Sequence, residues 1–175
     1  MERNDHNLQE GSYFIATAGT VKVNTEQFMA KLKAIAPGTR NHDFCRDIRA
    51  RDGCCVISGD TPDDRDMARG YWGALDAAHI YPLRHEDHWT AGNFAQCISI
   101  LPTSGQSINS VENGLLLRSD IHRHFDNHYV TINPDLCLAL ILLIPHPLPP
   151  PDNRPAIDLL RWHYRQSVLA NVRGH

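Results

Sequence analysis

Hydrophobic and polar positions along this chain switch between two periods, and the switches mark its elements. Residues Tyr13 to Val23 are β-prone and predict a short strand or hairpin. From Thr25 to Ala36 the apolar residues Phe28, Leu32 and Ile35 fall on one helical face, with Asn24 or Thr25 as cap and Pro37-Gly38 as stop. Asn41 to Arg51 predicts a second helix, with Phe44, Cys45 and Ile48 inward and arginines outward. Asp52-Gly53 signals a turn, and Cys54 to Ile57 reads as a short strand. Residues 59–70 read as a polar loop. Leu75 to Tyr81 reads as another strand, ended by Pro82, so that Cys54 to Tyr81 would be a hairpin.

Residues 84–112 form a long connection, helical in part around Thr90 to Ile100. A connection of this length without structure would be uncommon, and when it occurs it often carries function. Ser119 can cap a helix running through Asp126. Tyr129 to Ile132 and Leu136 to Leu143 read as two strands joined at Asn133-Pro134-Asp135. The leucine run there is too short to span a bilayer. Pro145 to Pro155 is a stiff, proline-rich linker. Ile157 to Val172 predicts a closing helix with Leu159, Leu160, Tyr164 and Val168 for packing. The organisation expected is a loose segment over residues 1–12, one domain over 13–144, a linker over 145–155, and a helix over 156–175 that packs back on the domain.

Composition adds less. A chain of 175 residues can bury a core without disulfides. Its net charge of −3 gives no global field to attract nucleic acid. The basic residues are mostly arginine, the better fork for phosphate oxygens. Arg40, Arg46, Arg49 and Arg51 cluster before the core, and Arg118 and Arg123 lie further on, so a local basic groove is open. The acidic run Asp60, Asp63, Asp64 and Asp66 opposes them. Five scattered cysteines and the lack of a signal peptide suggest free thiols and an intracellular setting, cytoplasm or nucleus.

The most informative residues are two segments. The first is Ala77-Ala-His79-Ile-Tyr-Pro82. The second is Asn113-Gly-Leu-Leu-Leu-Arg-Ser-Asp-Ile-His122-Arg-His-Phe-Asp126, in which a histidine follows the asparagine by nine residues. On a helix His122 and Asp126 share one face, and a histidine with a carboxylate at that spacing can hold a cation. Leu115, Leu116 and Leu117 read as core. His85, Glu86, Asp87 and His88 look like a metal cluster but read as a solvated loop. Trp72 and Trp89 could stack on bases, with burial the simpler reading.

Together the two segments resemble the HNH endonuclease family, in the branch whose motifs run A-A-H-I-x-P and N-G-L-L-L-R-S-D-x-H-x-x-F-D. The resemblance covers about residues 45 to 135. It implies an α+β fold with a ββα-metal core, flanked by N-terminal and C-terminal helices. It implies hydrolysis of phosphodiester bonds with a divalent ion, magnesium or manganese first, with zinc or nickel also open. DNA is the substrate implied, with RNA open and no membrane partner. His79 takes the place of the family's first histidine, the general base. His122 takes that of the second, a metal ligand, with Asp126 beside it. Asn113 matches the central asparagine, which orients the catalytic histidine or reaches the metal. Some relatives carry two CxxC pairs for zinc; here Cys55 is followed by Ser58 three residues on.

One departure stands out. The residue before the catalytic histidine is often Asp or His, a metal ligand, but here it is Ala78. Asp76 shares its strand face and could supply the carboxylate, or could pair with an arginine. The departure keeps a second reading open: an HNH fold that binds nucleic acid or protein and no longer cleaves.

Overall fold

A computed structural model describes residues 18–19, 41–103, 105–137 and 153–172. The elements expected between Tyr13 and Ala36, most of the strand expected from Leu136 to Leu143, and most of the proline-rich stretch lie outside the described residues.

The first described helix, α1 (His42–Asp52), begins where Asn41 accepts the Asp43 N–H and ends at Gly53, whose φ is 64°. The segment expected as a strand from Cys54 to Ile57 is instead a tight turn. The Cys55 N–H bonds Asp60 O and the Gly59 N–H bonds Cys55 O, so the chain folds on itself rather than extending. The polar stretch after it holds a short helix, α2 (Asp64–Ala68), capped by the side chain of Asp63.

Among the described residues the sheet has two antiparallel strands, β1 (Leu75–His79) and β2 (Gly114–Arg118). Leu75 faces Arg118 and His79 faces Gly114. The predicted hairpin partner of β1 was therefore the wrong segment. β2 was hidden because Leu115, Leu116 and Leu117 are all buried, and a run apolar on both faces carries no strand alternation. Between the strands, the described residues of 83–113 wind through a 3₁₀ turn, the helix α3 (Glu86–Ala91) and three more 3₁₀ turns. His85 is buried at the start of this excursion, so the stretch expected as a solvated loop is anchored in the protein. Trp89 is buried with its indole N–H on Ser107 Oγ at 3.0 Å.

The helix α4 (Ser119–Asp126) follows β2 without a loop. Ser119 is its first residue and not its cap; the hydroxyl and backbone N–H of Ser119 both donate to Ala74 O, tying the helix start to the entry of β1. Beyond it no strand forms at Tyr129 to Ile132. A short helix, α5 (Pro134–Cys137), stands where the next strand was expected to begin. Asn133 accepts the Asp135 N–H, and proline suits a first helical turn.

The closing helix α6 (Ile157–Val172) has the predicted limits but a different inward face. Val168 is exposed, and His163, Gln166 and Ser167 are buried with Leu159, Leu160 and Trp162. Polar groups face inward because they find partners there. His163 stacks on Phe125 with ring centroids 3.7 Å apart, donates to Phe125 O and accepts from Thr131 Oγ1. No helix among the described residues is long and apolar enough to cross a membrane.

Helix α1 joins β2 through a buried ion pair. The Arg51 and Asp52 side chains are 2% and 5% exposed. Arg51 also donates to Val111 O and Gly114 O, and Asp52 accepts the Leu116 N–H. Arg51 thus faces inward, against the outward placement expected for it.

Burial, and then the neighbouring His128, push the His163 pKa down to about 3. In the unfolded chain a histidine titrates near 6.5. Between those values only the unfolded chain takes up the proton. The stabilising term is complete above about pH 6.5 and is lost as pH falls towards 3, at about 1 kcal/mol per pH unit for this residue. Urea midpoints measured from pH 7 to pH 4.5 should fall steeply for the native chain and less steeply for His163→Phe. Equal slopes would contradict the assignment.

Candidate active site

Strand β1 carries Asp76 and His79 on opposite faces, because side chains alternate along a strand. Helix α1 covers the His79 face. The Phe44 ring lies flat against the imidazole, with centroids 4.0 Å apart and planes 9° from parallel. Gly114 makes this possible. It stands opposite His79, and a Cβ there would lie 2.6 Å from Phe44 Cζ and 2.5 Å from Ile48 Cδ1. Neither Phe44 nor Gly114 stood out as a site residue in the sequence; both look like ordinary core and turn positions.

The imidazole is also fixed at one nitrogen. His79 Nε2 lies 3.2 Å from Asn109 Oδ1. With the amide oxygen as acceptor, Nε2 carries the proton and the basic lone pair is on Nδ1. Asn109 is nearly buried and was missed by the sequence reading, which settled on the asparagine four residues later. The only available signal was a second asparagine in the same segment.

Asn113 is fully buried. Its Oδ1 accepts the Tyr81 N–H at 2.8 Å, and its Nδ2 donates to Tyr81 O and Ile108 O. The Ile80 N–H bonds the Asn113 carbonyl. Both ends of the amide are therefore engaged with backbone, and the residue clamps the exit of β1 to the entry of β2.

Helix α4 covers the other face of the sheet and presents His122 and Asp126 one turn apart. His122 Nδ1 lies 3.2 Å from Asp76 Oδ2, and His122 Nε2 lies 3.5 Å from Asp126 Oδ2. Asp76 thus meets His122 and not an arginine. Ala78, on the same strand face, is 1% exposed and packed in the core opposite Leu115. His124 is exposed, with its ring near Tyr129, and turns away from this group.

The two faces meet in one cleft of about 250 Å³. It is lined by Ala77, His79, Pro82, Leu83, Arg84, His122 and Asp126. His79, His122 and Asp126 are thus brought together; Asn113 lies behind them, out of the cleft wall. Of the basic cluster expected near α1, Arg40 lies outside the described residues and the other three are otherwise engaged. Arg46 pairs with Asp43 and Asp47, Arg51 is buried on Asp52, and Arg49 lies over the Trp72 ring. Arg118 bridges Asp60 and Asp120, holding the Asp120 carboxyl down at about 2.

The donor chemistry of the cleft suits a hard cation with few protein ligands. Among the described residues no group of three or more His, Cys, Asp or Glu side chains is arranged to hold a metal. His122 Nε2 and Asp126 Oδ2 nevertheless converge. Two donors each about 2.0–2.2 Å from one ion lie roughly 3–3.5 Å apart, the spacing seen here. Magnesium in particular is commonly held by one or two protein donors, with water and phosphate oxygens completing its shell.

No curated protein and no solved structure matches the chain. Residues 55–133 match a family model described as HNH endonuclease. That stretch contains both strands, α4 and every residue of the cleft wall, and the match supports kinship with HNH endonucleases and a nuclease-type function.

Proposed function

We propose that this chain is a divalent-metal-dependent endonuclease that hydrolyses phosphodiester bonds in DNA, built on the ββα-metal arrangement of β1, β2 and α4. The observation that carries the reading is the shared cleft, in which His79 from one sheet face stands with His122 and Asp126 from the other. The A-A-H-I-x-P and N-G-L-L-L-R-S-D motifs resemble one branch of the HNH group, and the family match supports the HNH family at the coarser level.

In this reading His79 is the general base. Asn109 fixes its tautomer, Phe44 fixes its plane, and Nδ1 accepts a proton as water attacks phosphorus. The P–O bond on the far side breaks in line with the attack. His122 Nε2 and Asp126 would hold the ion, magnesium or manganese by donor type. When bound, the ion would neutralise charge on the phosphate and leaving oxygen. Asp76 accepts the Nδ1 proton of His122 and so turns the Nε2 lone pair towards Asp126, the carboxylate–histidine pairing typical of metal ligands. This gives Asp76 an orienting role where the sequence suggested direct ligation. Asn113 has its amide committed to backbone, and we assign it to holding the frame and not the ion.

His79→Ala should slow cleavage of a plasmid by about 10²–10⁴-fold while leaving manganese affinity unchanged. Turnover near that of the native chain at pH 7 would remove His79 as the base. Matched DNA and RNA duplexes in the same assay identify the substrate.

Chelator should abolish activity, and added magnesium or manganese should restore it. By calorimetry His122→Ala should weaken manganese binding most and Asp126→Ala less. Asp76→Asn should weaken it by about 10–100-fold, the usual effect of losing an outer carboxylate. Unchanged affinity in all three variants would show that the ion, if any, binds elsewhere.

A further inference from the structure

The cleft wall contains one charged residue that the chemistry above leaves without a role. Arg84 lies on the 3₁₀ turn Leu83–His85, five residues after His79, and among the described residues is the cleft's only arginine or lysine. Its Nε donates to His85 Nε2 at 3.2 Å. His85 is 3% exposed, so the acceptor is anchored in the protein while the guanidinium is at the surface. Burial first, and then the Arg84 charge, push the His85 pKa down to about 4, which keeps that ring a neutral acceptor at pH 7.

This arrangement fixes the Arg84 fork and leaves it charged. Among the described residues no carboxylate pairs with Arg84; Arg49, Arg65, Arg69 and Arg123 share that lack, but none of them lines the cleft. Asp126 lines the same cleft and yet makes no ion pair with Arg84. A planar fork held at Nε presents its two terminal nitrogens, and that shape matches two phosphate oxygens better than a point charge would. Negative charge on the non-bridging oxygens grows as water attacks phosphorus, and a fixed cation stabilises it.

We propose that Arg84 grips the non-bridging oxygens of the scissile phosphate, with His85 aiming it. The inference rests on the nuclease reading above. It assigns the cleft a second cationic contact, beside the His122–Asp126 pair in the same wall, which would otherwise have to come from metal alone.

The test uses the full chain, a short fluorescent DNA duplex and two variants, Arg84→Ala and Arg84→Lys. Binding is followed by anisotropy in EDTA across a range of salt, and cleavage in manganese. Arg84→Ala should bind more weakly and lose about one phosphate's worth of salt dependence, a change of about 0.9 in the slope of log K against log salt. Its kcat should fall about 10²–10³-fold, as for removal of a transition-state donor, with manganese affinity by calorimetry unchanged. Arg84→Lys should recover the salt slope but not the full kcat. An Arg84→Ala variant that keeps both slope and kcat, beside a native chain that cleaves, overturns the role of Arg84 alone. Full recovery of kcat by lysine overturns the fork geometry. A native chain that neither binds nor cleaves DNA or RNA overturns the nuclease reading and this inference with it.

Discussion

The amide of Asn113 is the joint on which the rest of the site depends. It accepts the Tyr81 N–H and donates to the carbonyls of Tyr81 and Ile108, entirely out of contact with water. Those bonds close the long excursion between the strands at its base. Without them the backbone groups of Tyr81 and the Ile108 carbonyl would lose these partners, each buried group left unpaired costing about 1–3 kcal/mol. An asparagine suits the position because one flat side chain both donates and accepts. With the joint closed, His79 stands opposite Gly114, Asn109 comes within reach of the His79 ring, and α4 starts where β2 ends.

Around that joint each functional group has a separate support. Phe44 holds the plane of His79 from α1, and the missing side chain at Gly114 gives the ring its space. The Arg51–Asp52 pair fixes α1 to the backbone of β2, so Phe44 is placed by buried polar contacts as well as by packing. On the opposite face, Asp76 orients His122, and α6 supports the back of α4 through the stack of His163 on Phe125. The cost of that last support is sensitivity to acid, since His163 must stay neutral to accept from Thr131 and donate to Phe125 O. The result is a site whose two histidines approach one cleft from opposite faces of a two-stranded sheet.

Much of this was legible in the chain. The helical periodicity of α1, α4 and α6 set their limits within a residue, and His122 and Asp126 could be paired from their spacing alone. His79 could be placed on a strand. Three things were not legible, for physical reasons. The partner strand β2 is apolar on both faces and so lacks the period that marks a strand. The choice between Asn109 and Asn113 depends on which one reaches the His79 ring, and spacing does not encode that. Arg84 reads as one charge in a polar segment; only its place in the cleft wall and the buried acceptor His85 distinguish it. The emphasis on Ala78 also changes. A carboxylate at that position would face the core, and the ligand question moves to Asp76 and its grip on His122.

The central claim is that one cleft holds both the base and the metal-binding pair. It is tested most directly by anomalous diffraction from crystals grown with manganese. The account predicts a single anomalous peak in the cleft, bonded to His122 Nε2 and an Asp126 oxygen, with Asp76 still on His122 Nδ1 and Asn113 still bound to backbone. A peak ligated by Asn113, or manganese bound only outside the cleft, would contradict it.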